Sequence, residues 1–272
     1  MDRKFAMRQD ATDFYTLLGN SEGPTLLFLH GFLGNRNDFQ PLAQQFSADY
    51  QLLMVDLPGH GTSIVEDPSS YTMKSCAESI IALLKTLNVT KAYLIGYSMG
   101  GRLGLYLSLH YPDFFQKSLL ISASPGICDD QERERRREKD GKIAAQLREG
   151  DFNQFLVDWY GQELFSSLKK APGLQQKIIE ARKKNSPRHL ALSLEEMGTG
   201  SQTPLWDRLA DTPIPIDLVV GSVDKKFVTI GEEMVRHNPS MIQMHQIEEA
   251  GHLVHQEKPE AFSLLVKKLC LF

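Results

Sequence analysis

The chain has 272 residues, 42% of them apolar and 24% charged, with a formal net charge of −4. That is ordinary globular composition with enough apolar side chains for a sizeable core. It offers no basic face able to follow a phosphate track, so nucleic acid is not an expected partner.

The start of the chain, Met1-Asp2-Arg3-Lys4-Phe5, runs into polar sequence rather than a signal-peptide core. The first strand expected is Thr25-Leu26-Leu27-Phe28-Leu29, an apolar run of the kind buried on both faces, ending in His30-Gly31-Phe32-Leu33-Gly34. A second, Gln51 to Val55, ends in Asp56-Leu57-Pro58-Gly59-His60-Gly61. Thr72 to Leu87 has helical periodicity, with Ile80, Leu83, Leu84 and Leu87 on one face. The strand Ala92-Tyr93-Leu94-Ile95 leads into Gly96-Tyr97-Ser98-Met99-Gly100-Gly101, and a helix then runs to His110, where Pro112 stops it. Leu119 to Ile121 is the next strand.

From about Ile127 to Thr203 the pattern is helical and amphipathic, without a convincing buried strand. Strands resume at Pro215 to Val220 and Met241 to Met244, and a helix from Pro259 to Leu269 closes the chain. Apolar strands alternating with helices predict the α/β class, with a mostly parallel central sheet flanked by helices. Residues 1–126 are expected to form the first half of the core, 127–205 a helical lid insertion, and 206–272 the second half. No apolar stretch approaches the ~20 residues of a membrane span. Cys76, Cys128 and Cys270 are few, odd in number and scattered, which argues against a disulfide framework and for a reducing compartment. A cytoplasmic monomer with no membrane span is the expectation.

Gly96-Tyr97-Ser98-Met99-Gly100 is a G-x-S-x-G sequence placed after a strand and before a helix, where a nucleophile elbow must sit. The glycines answer crowding, and the following helix aims free N–H groups at the reacting oxygen. A serine hydroxyl is a poor nucleophile or base until a histidine takes its proton, and the histidine needs a carboxylate to hold its tautomer. Asp224 follows the strand ending in Val219-Val220-Gly221, and His252 follows the strand containing Met244. Both stand at the carboxyl ends of strands, where parallel sheets meet their ligands. Ser98, Asp224 and His252 are therefore the expected catalytic residues. His255 falls at the start of the last helical region, Asp56 reads as a turn-former, and His60 as a structural loop histidine.

The oxyanion hole is expected from the backbone N–H groups of Met99 and Phe32. No His/Cys/Asp/Glu cluster has metal spacing, and Ser98 occupies the turn that a dinucleotide fingerprint would need free. No cofactor and no metal are expected.

Most of the chain resembles the α/β-hydrolase family. Leu29 to Gly34, Asp56 to Gly61 and Gly96 to Arg102 are more particularly similar to the 2-succinyl-6-hydroxy-2,4-cyclohexadiene-1-carboxylate synthases of menaquinone and phylloquinone biosynthesis. Phe155-Leu156-Val157-Asp158-Trp159-Tyr160, Thr199-Gly200-Ser201-Gln202, Asp224-Lys225-Lys226-Phe227 and Gly251-His252-Leu253-Val254-His255 extend the likeness. Ser122-Ala123-Ser124-Pro125 departs from it, lacking the Asn that often precedes Pro-Gly in that family.

The resemblance implies a carbon–oxygen lyase that eliminates pyruvate from a small polyanionic carboxylate substrate. It implies substrate contacts at Tyr97, Arg102, Arg133, Arg182 and Trp159. Chemistry supports arginines independently, because a guanidinium grips a carboxylate bidentately. Arg102 lies one helical turn past Ser98. Around Arg133 the run Glu132-Arg133-Glu134-Arg135-Arg136-Arg137-Glu138 offers four arginines, most of which must face solvent. A carboxylesterase or carbon–carbon bond hydrolase using the same triad is the alternative, and a ligand-binding receptor without turnover is a third reading.

Overall fold

The computed structural model describes residues 14–270, so the polar N-terminal run lies outside the described residues. Seven strands form one sheet: β1 (Tyr15–Gly19), β2 (Thr25–Leu29), β3 (Gln51–Val55), β4 (Ala92–Tyr97), β5 (Phe115–Ile121), β6 (Ile216–Gly221) and β7 (Ile242–Ile247). Their order is β1-β3-β2-β4-β5-β6-β7. Every pairing is parallel except β1 with β3. The largely apolar strands β2, β4 and β6 are buried along their whole length, as strands covered by helices on both faces must be. β7, at the edge, is buried only at its two ends.

The helices are α1 (Gln40–Ala43), α2 (Met73–Thr86), α3 (Met99–His110), α4 (Asp130–Glu149), α5 (Phe152–Gly161), α6 (Pro172–Arg182), α7 (Pro187–Met197), α8 (Lys225–His237), α9 (Val254–Glu257) and α10 (Pro259–Cys270). The core divides into two apolar clusters. In one, Leu27, Leu29, Leu53 and Leu94 meet α2 and α3; in the other, Leu26, Phe28, Leu52 and Ile95 meet Phe262 and Val266 of α10. The chain between β5 and β6 carries α4 to α7 and no strand. Cys76 and Cys270 are buried and Cys128 exposed, all three as free thiols.

Helix α4 shows how a highly charged sequence can still dock. Only Asp140, Ala144 and Leu147 are buried on it, spacings of four and three that trace one narrow stripe. Asp129 caps its start by accepting the Glu132 N–H at 2.8 Å, satisfying one donor that the first turn leaves open.

Candidate active site

Ser98 joins the end of β4 to the start of α3 with φ 49° and ψ −106°, a left-handed backbone that a non-glycine residue adopts only under constraint. The flanking glycines make that turn possible. A Cβ on Gly96 would stand 2.5 Å from the Gly100 carbonyl oxygen, and one on Gly100 2.3 Å from that of Leu29. The G-x-S-x-G spacing is thus a packing requirement of the turn.

Asp224 and His252 converge on this serine. His252 Nε2 lies 3.3 Å from Ser98 Oγ, and His252 Nδ1 lies 2.8 Å from Asp224 Oδ2. Asp224 also caps α8, its other oxygen accepting the Phe227 N–H at 3.4 Å, so one carboxylate serves both helix and histidine. Phe227, Tyr97 and Phe165 surround the imidazole, with ring centroids 4.7, 5.4 and 5.8 Å away.

A residue that sequence reasoning missed fixes the histidine loop. Glu257 accepts the Gly251 N–H at 2.9 Å and the Leu253 N–H at 3.0 Å, one on each side of His252. The signal for it was faint: an acid five residues past the histidine, inside a helix too short to show periodicity.

The expected oxyanion donors stand beside the serine. Phe32 and Met99 both line the cavity that holds Ser98, and neither backbone N–H has an acceptor among the described residues. The turn that carries Phe32 is set by His30, whose Nε2 accepts the Leu57 N–H at 3.0 Å while Nδ1 donates to the Gly31 carbonyl at 2.8 Å. Burial lowers the His30 pKa, against the opposing pull of Asp56, which suits a neutral ring that accepts at one nitrogen and donates at the other. Gly31 is needed because Tyr97 packs against it: a Cβ there would lie 2.5 Å from the tyrosine ring.

The cavity has a volume of about 570 Å³. It collects Tyr97, Arg102 and Trp159 with the triad, and adds Arg136, Lys139, Lys226 and Asp140. Arg102 is buried, with Nη1 donating to Gln202 Oε1 at 2.9 Å and Nη2 to the Met197 carbonyl at 2.8 Å. Both acceptors are neutral. Burial, followed by the nearby Arg136, pulls its pKa down to about 10 while Asp140 opposes the change. This is a desolvated cation without an ion-paired carboxylate among the described residues. Tyr97 lines the same cavity, and burial pushes its hydroxyl pKa up. Trp159 stacks on Phe155 and meets Phe32 edge-on, centroids 5.8 and 5.3 Å apart.

Two expected substrate contacts are placed elsewhere. Arg133 does not line the cavity; it pairs with Asp130 and donates to the Ile127 carbonyl at 3.2 Å, closing the start of α4. One turn further along, Arg136 takes its place. Its Nε donates to Asp140 Oδ1 at 2.9 Å, and it makes no other hydrogen bond among the described residues. Arg182 is also absent from the lining. It is buried under α6, where Nη1 and Nη2 reach the two oxygens of Asp38 at 2.5 and 2.8 Å and Nε donates to the Tyr160 hydroxyl at 3.2 Å. Burial works against its charge, but Asp38 and Tyr160 outweigh it and raise its pKa. A guanidinium satisfied on all three nitrogens has no fork left for a ligand.

The other polar candidates keep structural roles. Asp56 accepts the Arg36 and Thr62 N–H groups at 2.7 and 3.0 Å. His60 donates from Nδ1 to the Pro58 carbonyl at 3.1 Å. His255, the second residue of α9, is stacked on Phe39 and lies against Tyr97, with both centroids at 4.7 Å. No group of His, Cys, Asp and Glu among the described residues is arranged to hold a metal ion.

A serine on a strained turn between a buried parallel strand and a helix, with acid and base arriving from later strand ends in that order, is the arrangement that defines an α/β hydrolase. The profile of the family described as alpha/beta hydrolase fold matches residues 24–259. A 2-succinyl-6-hydroxy-2,4-cyclohexadiene-1-carboxylate synthase of Citrobacter koseri is 32% identical over 244 residues, covering 89% of this chain and 91% of the relative. The solved structure of MenH from S. aureus superposes with a TM-score of 0.89 at 29% identity, covering 94% of this chain and 97% of that one. Protein PHYLLO, chloroplastic, of Arabidopsis thaliana is 30% identical over 98% of this chain, which spans only 17% of that much longer protein. The chain belongs to the 2-succinyl-6-hydroxy-2,4-cyclohexadiene-1-carboxylate synthase family of α/β hydrolases.

Proposed function

We propose that this protein is a carbon–oxygen lyase of menaquinone or phylloquinone biosynthesis. It eliminates pyruvate from 2-succinyl-5-enolpyruvyl-6-hydroxy-3-cyclohexene-1-carboxylate and leaves 2-succinyl-6-hydroxy-2,4-cyclohexadiene-1-carboxylate. The observation that carries this reading is Arg102, a buried guanidinium one turn past the nucleophile, opening on the same cavity without a carboxylate partner. A neutral ester gives such a charge nothing to bind, and a polycarboxylate does.

The chemistry follows from the two ring names. Moving from a 3-ene with a leaving group at C5 to a 2,4-diene requires loss of the C2 proton, migration of the ring double bond and cleavage of the C5–O bond. C2 is alpha to the succinyl ketone, so its proton is the acidic one. His252 takes the Ser98 proton and Ser98 Oγ takes the C2 proton; Asp224 stabilises the imidazolium that forms. The ketone oxygen, as it becomes an enolate, is held by the Phe32 and Met99 N–H groups. The electron pair then expels the enolpyruvyl oxygen, and the departing enol takes up a proton to become pyruvate. No water is added.

The segment 127–205 acts as the lid over this site. The protein works as a monomer in the cytoplasm on a small polyanion, with neither nucleic acid nor cofactor. No helix among the described residues is long and apolar enough to cross a membrane.

The test is pyruvate release by purified protein supplied with the enolpyruvyl substrate, beside hydrolysis of a short p-nitrophenyl ester, with Ser98→Ala and Arg102→Ala in parallel. Fast pyruvate release that both variants lose supports the lyase. Ester hydrolysis without pyruvate release replaces it with a carboxylesterase or carbon–carbon bond hydrolase. Near-full pyruvate release by Ser98→Ala removes the serine from the proton transfer.

A further inference from the structure

Resting on that reading, we infer that Lys139 of α4 and Lys226 of α8 together hold the enolpyruvyl carboxylate of the substrate at the mouth of the cavity, and so set the preference for a three-fold anion.

The charge count makes the case. The substrate carries a ring carboxylate, a succinyl carboxylate and an enolpyruvyl carboxylate. Two guanidiniums line the cavity: Arg102 on the inside, and Arg136, which is tied through Nε to Asp140 and makes no other hydrogen bond among the described residues. Arg182, the third arginine expected, is spent on Asp38 and Tyr160. One carboxylate is left without a partner unless another cation meets it.

Lys139 and Lys226 are the cations placed to do so. Both line the cavity and both are exposed, so they stand at its opening and not at its depth. Neither has a carboxylate partner among the described residues. The Lys226 ammonium lies over the face of Phe227, 5.7 Å from the ring centroid. Lys225 differs, since its ammonium is tied to the Ser222 carbonyl at 2.8 Å. The lining as a whole holds Arg102, Arg136, Lys139, Lys225 and Lys226 against Asp140, Glu163 and Asp224, and two of those acids already serve Arg136 and His252.

The lysines also repel. Partial burial lowers the Lys226 pKa, and Arg136 and Lys139 lower it further while Asp224 opposes them. A bound carboxylate between the two ammoniums relieves that repulsion, so part of the gain on binding is already stored in the empty site. The enolpyruvyl arm is assigned to them because it is the part that departs. The group released first belongs nearest the opening, while the ring and succinyl carboxylates remain with the inner arginines.

Lys139→Ala/Lys226→Ala should raise KM for pyruvate release about tenfold to a hundredfold, the range for losing a charge-assisted contact, with a much smaller effect on kcat. The inhibition constant of added pyruvate should rise with it, while that of succinate stays near the wild-type value. Lys139→Arg/Lys226→Arg should restore KM. Lys267→Ala/Lys268→Ala, which removes the same charge from the exposed side of α10, should leave KM unchanged and so separates a local grip from general attraction. Overturning results are a KM and pyruvate inhibition within twofold of wild type in the alanine pair, an equal rise in the α10 pair, or weakened succinate inhibition alone. Wild-type protein that releases no pyruvate defeats the lyase reading itself, and the lysine assignment falls with it.

Discussion

Arg182 separates two kinds of arginine that a sequence cannot distinguish, and Asp38 is the place to test it. The two side chains are 3% and 7% exposed, and the pair is joined by two charge-assisted hydrogen bonds. Asp38→Ala strands a desolvated guanidinium with only the Tyr160 hydroxyl as partner. Breaking a buried pair from one side costs about 3–5 kcal/mol. For a chain of this size that corresponds to roughly 10 °C in melting temperature. Removing both charges in Asp38→Leu/Arg182→Met should recover most of the loss, because the desolvation penalty of the pair goes with them. The assay is urea denaturation at neutral pH for the three proteins, with KM for pyruvate release measured on each. A single variant that loses under 1 kcal/mol, together with a large rise in KM, would mean that the arginine leaves Asp38 for the ligand, and the structural assignment would be wrong.

Three further variants probe the elbow, the histidine loop and a buried imidazole. Gly100→Ala places a methyl group 2.3 Å from the Leu29 carbonyl and 2.5 Å from that of His30; it should lower kcat by about a hundredfold, since a 1 Å displacement at the elbow is enough for that. Glu257→Ala releases both N–H groups that brace the His252 loop and should reduce kcat about tenfold or more, Glu257→Gln recovering part of it; equal kcat values would show that the loop holds itself. His255, whose pKa burial lowers to about 4, should make the fold acid-sensitive. Below its ordinary pKa the unfolded chain binds a proton that the folded chain refuses, so the contribution is complete above about pH 6.5 and is lost as pH falls through 4, by roughly 3 kcal/mol. His255→Phe should flatten the urea midpoint between pH 7 and 4; an unchanged slope would assign the sensitivity to another group.

The sheet was legible wherever burial on both faces left an apolar run, as in β2, β3 and β4 and, past Asp217, in β6. β1 was not read because it is an antiparallel edge strand of half-buried residues, with no continuous apolar signal. β7 was read short, as Met241 to Met244 in place of Ile242–Ile247, because only its ends face the core. The triad order and the elbow glycines were visible because they are local constraints. The lid arginines were not, since four guanidiniums on one charged helix look alike until the helix has a phase. The apolar tail does not supply it: Arg133, two turns before Asp140, falls on the same stripe as Asp140, Ala144 and Leu147, and so does Arg136. Asp38 as the partner of Arg182 lay beyond any such reasoning, because 144 residues separate them.

β5 and β6 are direct neighbours, paired from Ser118 with Ile216 to Ile121 with Val219, although α4 to α7 intervene between them in the chain. The long excursion therefore leaves and rejoins the sheet at one seam, and the entropy of closing it grows only slowly with its length. Ser98 is laid down before that seam, Asp224 and His252 after it. Evolution could lengthen, shorten or recharge the excursion while strands on either side continued to hold the same three atoms in line. A scaffold of this kind behaves as a fixed engine with an interchangeable cassette, and new anions could be admitted by editing the cassette alone.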